Sequence, residues 1–392
     1  MTRIASVRCT RLRVPLHTPF VTALRRTGST DTVVVRVTDS DGVTGWGEAP
    51  QVWQVTGESL AGATSCIEEM FAPLVVGRDV DDWAELASAV QGAVARNFGA
   101  KAAIDVALHD LAARRSGLPL AVLLDRGAST HVDTDVTLSV GSVDALGASA
   151  RQRVTDGFAT LKMKVGTDAA TDVARVRAVR EAVGPDVTIR LDANQGWSPR
   201  DAVEVIRALE AAELGVEVVE QPVHGDDVEG LAWVRSRVGL PIMADESLYG
   251  LRDLDRILRL GAADVVNVKL AKCGSLTVAL ELLRRAGEHG LGTIVGSMME
   301  SHIGVGAAAS LVAARPTSLT SDLDAAWWAV ASPVVGGLRY AGSTVVLPTT
   351  PGLGIDALVD AGDRACGDAP EHEQPDRQDA PDACDGAQRP PA

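Results

Sequence analysis

Only five of the 37 basic residues are lysines: Lys101, Lys162, Lys164, Lys269 and Lys272. A guanidinium keeps its proton near neutral pH, whereas a desolvated ammonium can release one, so the scarce lysines mark places where a base is possible. Lys162-Met163-Lys164 and Lys269 each end a short apolar run, and comparable runs between them end at Asp192, Glu220 and Asp245. Three converging carboxylates repel one another unless a cation sits among them. An all-oxygen set with open positions suits a hard ion, Mg²⁺ first and Mn²⁺ second. Such an ion takes a substrate carboxylate and steadies the enolate formed when an α-proton leaves. Lysines on opposite sides of that ion would remove the proton from one face and return it on the other. The ion and the like charges should depress their pKa values towards neutrality. Taken singly, each acid is equally an ordinary loop or helix-capping residue. The succession of acids bracketed by lysines is what points to a site. Lys101 and Lys272 read as a helix surface and a loop.

These residues need elements to present them. From about residue 131 the rhythm is strand, short loop, helix, repeated, with candidate strands at 134–140, 158–164, 187–192, 217–220, 241–244, 264–269, 292–296 and 318–322. Helical spacing fills 171–183, 199–213 and 276–288. Eight strands alternating with seven helices predict parallel βα units, and eight such units close into a barrel whose functional face is at the C-terminal strand ends. A doubly wound sheet is disfavoured because no G-x-G-x-x-G follows an early strand. The period-2 alternation of a strand turns Lys162 and Lys164 the same way. Ahead of the barrel, 32–37 and 43–48 flank the turn Ser40-Asp41-Gly42 as a hairpin, and 58–115 is helical in pattern. The fold class expected is α/β, a (β/α)7β barrel over 126–325 with an α+β capping domain over 1–125. A segment over 326–362 would pack back on the capping domain, and an acidic tail over 363–392 would be disordered. That tail carries eight acidic residues against three arginines and no Val, Ile, Leu, Met or aromatic residue.

The bulk properties exclude several classes of function. A net charge of −15 argues against a nucleic-acid partner. No apolar run approaches the length that spans a bilayer, and the N-terminus lacks a secretory pattern. Five cysteines without metal spacing read as unpaired thiols. A cytoplasmic enzyme, forming a homo-oligomer and taking a small-molecule partner, is the expectation.

Lys162-Met163-Lys164, Leu191-Asp192-Ala193-Asn194-Gln195-Gly196-Trp197, Val219-Glu220-Gln221-Pro222, Ala244-Asp245-Glu246-Ser247, Lys269 and Trp46-Gly47-Glu48-Ala49 together resemble the enolase superfamily, in its muconate-lactonizing subgroup. The resemblance covers the chain to about residue 360. It implies one Mg²⁺ held by Asp192, Glu220 and Asp245, a Lys164/Lys269 acid–base pair, and Lys162 assisting the developing charge. Ser321-Asp322-Leu323-Asp324 resembles the Asp-x-Asp signature of dipeptide epimerases, and two carboxylates there suit a substrate ammonium. A capping pair after the last strand is the lesser alternative. In the relatives an arginine in the loop matching Thr22-Ala23-Leu24-Arg25 meets a substrate carboxylate, which makes Arg25 a candidate for a glutamyl side chain, with Arg26 beside it. Ser297 and Met299 would line the pocket. Asn194 would orient a side chain or form an Asx-turn, and Glu300 would position a lysine or cap a helix. Glu246 should point elsewhere and support the cluster from outside. Trp327, Trp328 and Cys273-Gly274-Ser275 depart from the family pattern. The implied reaction is a Mg²⁺-dependent epimerisation of a dipeptide, plausibly L-Ala-Glu. N-acylamino acid racemase, o-succinylbenzoate synthase and cycloisomerase chemistry stand as enzymatic alternatives, and a metal-bearing scaffold as the non-enzymatic one.

Overall fold

β-Branched residues dominate the second strand, and its alternation places it at the centre of a three-stranded sheet. The strands β1 (Ile4–Val21), β2 (Arg26–Asp39) and β3 (Thr44–Pro50) form an antiparallel sheet in the order β1-β2-β3. Val33, Val35 and Val37 enter one core and Val34 the other. The computed structural model describes residues 1–21, 26–139 and 141–359. Arg25, the tail over 363–392 and the ends of two expected segments (Val140 and 360–362) lie outside them. The hairpin is as the pattern predicts, but β1 is far longer than any signal in the sequence indicated. Its outer face alternates polar residues with few apolar ones, so periodicity gave it little weight.

The helical stretch over 58–115 is broken into pieces. It comprises α1 (Leu60–Ser65), a wider turn (Cys66–Phe71), α2 (Ala72–Val75), α3 (Trp83–Ala93) and the long α4 (Phe98–Arg115). α4 lies flat against β3. A Cβ on Gly45 would stand 2.0 Å from the Ala107 carbonyl oxygen, and one on Gly47 would stand 1.8 Å from that of Ala103. No residue with a side chain fits either position. A short α5 (Leu120–Leu124) leads to β4 (His131–Asp133).

Seven parallel strands follow: β5 (Val136–Leu138), β6 (Thr160–Lys164), β7 (Thr188–Asp192), β8 (Val216–Glu220), β9 (Ile242–Ala244), β10 (Val265–Lys269) and β11 (Gly292–Gly296). They hydrogen-bond in unbroken sequence order from β11 to β5. Between them run α6 (Val143–Thr155), α7 (Ala169–Val183), α8 (Pro199–Ala211), α9 (Val228–Arg235), α10 (Leu251–Leu260), the single turn α11 (Leu270–Cys273) and α12 (Leu276–Glu288), with α13 (His302–Ala314) last. The eighth strand, expected over 318–322, is reduced to bridging residues. Ser321 pairs with Thr134 and Asp322 with Gly296, both parallel, which closes the sheet between β11 and β5. The barrel strands and helices share one large apolar cluster, Val218, Met243, Val265 and Ile294 of β8 to β11 form a smaller separate one, and α4 with β2 encloses another. Among the described residues no helix is long and apolar enough to cross a membrane.

After the barrel come β12 (Val334–Gly336), β13 (Arg339–Ala341), β14 (Thr344–Val346) and β15 (Ile355–Leu358), all within the unit Met1–Leu358. β14 adds to β4, and Gly352 exchanges backbone bonds with Leu118 and Leu120. One buried carboxylate joins three pieces here. Asp110 on α4 accepts from the Trp46 N–H at 2.8 Å, the Leu353 N–H at 2.5 Å and the Arg114 guanidinium at 3.0 Å. Replacing Asp110 with alanine strands two buried donors. Unfolding free energy should fall by about 3 kcal/mol, read as a lower urea midpoint at unchanged slope; an unmoved midpoint would show that other contacts carry the junction.

Candidate active site

The C-terminal ends of β6 to β10 bring charged residues into one mouth because each strand closes its apolar run on an ionisable residue. Parallel pairing sets Lys164 beside Asp192 and Asp192 beside Glu220. Lys162, Lys164, Asn194, Asp245, Glu246, Lys269, Ser297, Met299, Asp322 and Asp324 line a single cavity. Phe20, Val52 and Val55 of the hairpin domain form its other wall. Lys164 and Lys269 enter from β6 and β10, with the three carboxylate-bearing strands β7, β8 and β9 between them.

Charges alternate throughout. The Lys162 ammonium sits among Asp192 (3.0 Å), Glu220 (2.6 Å) and Asp322 (2.8 Å). Lys164 holds the same Asp192 oxygen at 2.6 Å, and Lys269 holds Asp245 at 2.7 Å. The expected metal set is therefore assembled at one end of the barrel but not as a closed trio. An ammonium stands between Asp192 and Glu220, and Asp245 turns to lysines. Among the described residues no three acidic, His or Cys side chains close on one point as metal ligands do. The chemistry of the set still fits a hard cation: all donors are oxygens, and the field is strong enough to gather ammonium groups. Burial opposes the charge of Asp192, but Lys162 and Lys164 hold its carboxyl well below the usual range. Burial and then Asp192 push Glu220 up to about 7. Burial would lower Lys269, yet Asp245 lifts it above the ordinary lysine range. The sequence argument expects a shift towards neutrality with the ion bound; here the carboxylate at contact distance is what lifts Lys269.

Several residues behave otherwise than expected. Lys272, read as a loop lysine, is fully buried and donates to the Asp245 carbonyl, to Asp245 Oδ1 and, at 3.1 Å, to the Asn267 carbonyl. Its spacing from Lys269, one helical turn, is the signal that could have found it. Glu246 does not point away but lines the same cavity, and burial followed by Asp245 raises it to about 8. Asp322 is bound to Lys162. Asp324 Oδ2 accepts from the Thr137 N–H at 2.7 Å and the Trp328 indole at 2.8 Å. Trp328, a departure from the family pattern, thus orients a carboxylate of the cavity. Glu300 accepts from the Met298 N–H at 2.9 Å and shapes the loop lining the pocket rather than contacting a lysine. Burial and Glu48 raise its carboxyl to about 8.

Supporting residues fix these groups. Gln221 accepts from the N–H groups of Asp245 (2.9 Å) and Ser247 (3.1 Å), tying the β8 end to the β9 end. Asn267 donates to Glu220 at 2.9 Å. Gly296 leaves room for Lys269, since a Cβ there would lie 2.8 Å from the lysine Cε. Glu48 of β3 reaches across to accept from Ser301 N–H (2.8 Å), Ser301 Oγ (2.6 Å) and Gly304 N–H (2.8 Å), capping α13 from the hairpin domain. Asn194, Gln195 and Gln221 have positive φ (43°, 68° and 35°), so backbone strain collects where the strands deliver their acids.

Known proteins resemble this chain in sequence and fold. Residues 4–125 match the mandelate racemase / muconate lactonizing enzyme N-terminal domain, and residues 145–361 match the enolase C-terminal domain-like family. The chain is similar to the L-Ala-D/L-Glu epimerase of Bacillus subtilis, 41% identical over 90% of this chain and 96% of that one. A substrate-liganded structure of that epimerase superposes with a TM-score of 0.88, covering 91% and 99% of the two chains at 40% identity. The dipeptide epimerase of Enterococcus faecalis, solved with Mg and L-Leu-L-Tyr, superposes at 0.86 with 38% identity over 91% and 100%. The N-succinyl-L-Arg/Lys racemase of Bacillus cereus is 32% identical over 91% and 96%. By both of its domains the chain belongs to the mandelate racemase / muconate lactonizing enzyme family of the enolase superfamily.

Proposed function

We propose that the protein is a Mg²⁺-dependent dipeptide epimerase that moves one proton at the α-carbon of the C-terminal residue. The observation that carries this reading is the pair of lysines, Lys164 and Lys269, lining one cavity from strands separated by three carboxylate-bearing strands. The likeness to two dipeptide epimerases at about 40% identity supports it. Asp192, Glu220 and Asp245 would hold the ion. When bound, Mg²⁺, or Mn²⁺ in its place, supplies positive charge to the substrate carboxylate and its enolate and offsets the carboxylate field that lifts Lys269.

Lys164 takes the α-proton from one face and Lys269 delivers one to the other, in either direction. Lys162 adds positive charge beside Asp192 and Glu220. Asp322 and Asp324 receive the free ammonium of the dipeptide, Asp324 being preset by Thr137 and Trp328. Ser297 and Met299 bound the side-chain space. Arg25, outside the described residues, would meet a glutamyl carboxylate. An N-acylamino acid or N-succinyl amino acid substrate is the second reading, favoured by the Bacillus cereus relative. It leaves Asp324, which is held by the Thr137 N–H and the Trp328 indole, without a cation at contact, so the dipeptide is preferred. The reading extends to a cytoplasmic homo-oligomer. Cys9, Cys66 and Cys273 are free thiols, and Met70 and Leu74 expose apolar side chains one helical turn apart. The domain limits 1–125, 126–325 and 326–362 belong to the same reading.

Three outcomes check it. In Lys269→Ala, epimerisation of L-Ala-Glu should fall by about 10³-fold, while exchange of the α-hydrogen with D₂O persists in only one epimer; undiminished exchange in both would end the two-base assignment. Asp324→Asn should cut kcat/KM on dipeptides by about 10- to 100-fold and leave any turnover of N-acylated amino acids nearly unmoved; equal losses on both would refute its contact with the ammonium. Dialysis against EDTA should abolish turnover, and Mg²⁺ or Mn²⁺ should restore it, measured by polarimetry.

A further inference from the structure

Three buried oxygens of residues that line the cavity have no donor: Asn194 Oδ1 and both carboxylate oxygens of Glu246. Their residues are 9% and 7% exposed, and both line the site cavity. An acceptor buried without a donor costs about 1–3 kcal/mol, more if charged. The surrounding protein supplies none. Lys162 is engaged by Asp192, Glu220 and Asp322, Lys164 by Asp192, and Lys269 and Lys272 by Asp245. The Asn194 N–H is spent on Asp192 Oδ1 at 2.9 Å. What meets these oxygens must therefore donate hydrogen bonds and be small. Glu246 also lines a second cleft, together with His224, Asp226, Tyr249, Asp253 and Arg256.

We propose that Glu246 and Asn194 hold a water molecule on the divalent ion, each accepting one of its O–H bonds. This rests on the cation reading above and deepens it: the pair sets the affinity and hydration of the ion without touching either ion or substrate. A water bound to a dication has polarised O–H bonds to donate, which is what the three donorless oxygens of Asn194 and Glu246 lack. Asp245, pinned by Lys272 at one oxygen and at its carbonyl, stays a separate ligand and leaves its neighbour Glu246 free for this role.

The probe is Mn²⁺, followed by the electron paramagnetic resonance of free ion and by water-proton relaxation of bound ion, with no substrate present. Glu246→Gln and Asn194→Ala should each weaken Mn²⁺ binding by about 10- to 100-fold. At saturating Mn²⁺ the number of inner-sphere waters should match that of the unmodified protein, with faster exchange. Asn194→Asp, which keeps the oxygen and tolerates positive φ, should recover most of the affinity and so guards against a merely misfolded variant. Affinities within twofold of the unmodified protein in both Glu246→Gln and Asn194→Ala would overturn the proposal. An added inner-sphere water in Glu246→Gln would also overturn it, by making Glu246 a direct ligand. If the unmodified protein binds no Mn²⁺, the cation reading itself fails, a result distinct from either.

Discussion

The structure depends on one constraint: like charges cannot share a buried mouth without opposite charges between them. Every acidic strand end here is met by an ammonium. The strand order makes this possible, because parallel neighbours deliver their last residues at one level and a few ångströms apart. Removing any one member leaves its partner desolvated and unpaired, which is costly in a low-dielectric setting.

The remainder of the fold holds this arrangement still. Gln221 ties two strand ends through their backbone N–H groups, and Asn267 fixes Glu220 from β10. Lys272 restrains Asp245 from the side opposite Lys269. None of these residues needs to meet a substrate. They narrow the rotamers available to those that would, which is how a cavity lined by flexible lysines keeps a defined geometry.

Much of this was legible in the sequence, for a physical reason. Parallel strands in a barrel are short and apolar and end abruptly, so an ionisable residue closing such a run marks the active face. Asp192, Glu220, Asp245, Lys162, Lys164 and Lys269 were readable on that basis. Lys272 was not, since a lysine in a loop is usually solvated and only tertiary packing buries this one. Glu246 was misplaced because strand alternation was extended one residue beyond β9, where the chain has already turned. The eighth strand was overextended because its pairing survives at only Ser321 and Asp322 while its sequence still looks extended. The length of β1 and the role of Trp328 arise from contacts with residues far away in the chain, which no local pattern encodes.

Glu48 carries an implication for how this architecture diversifies. Its carboxylate sits in one domain and satisfies the opening turn of a helix in the other, beside the loop that shapes the pocket. A graft that put any side chain without a carboxylate at position 48 would leave the helix start bare. The two modules are therefore compatible only where position 48 and positions 301–304 match across the junction.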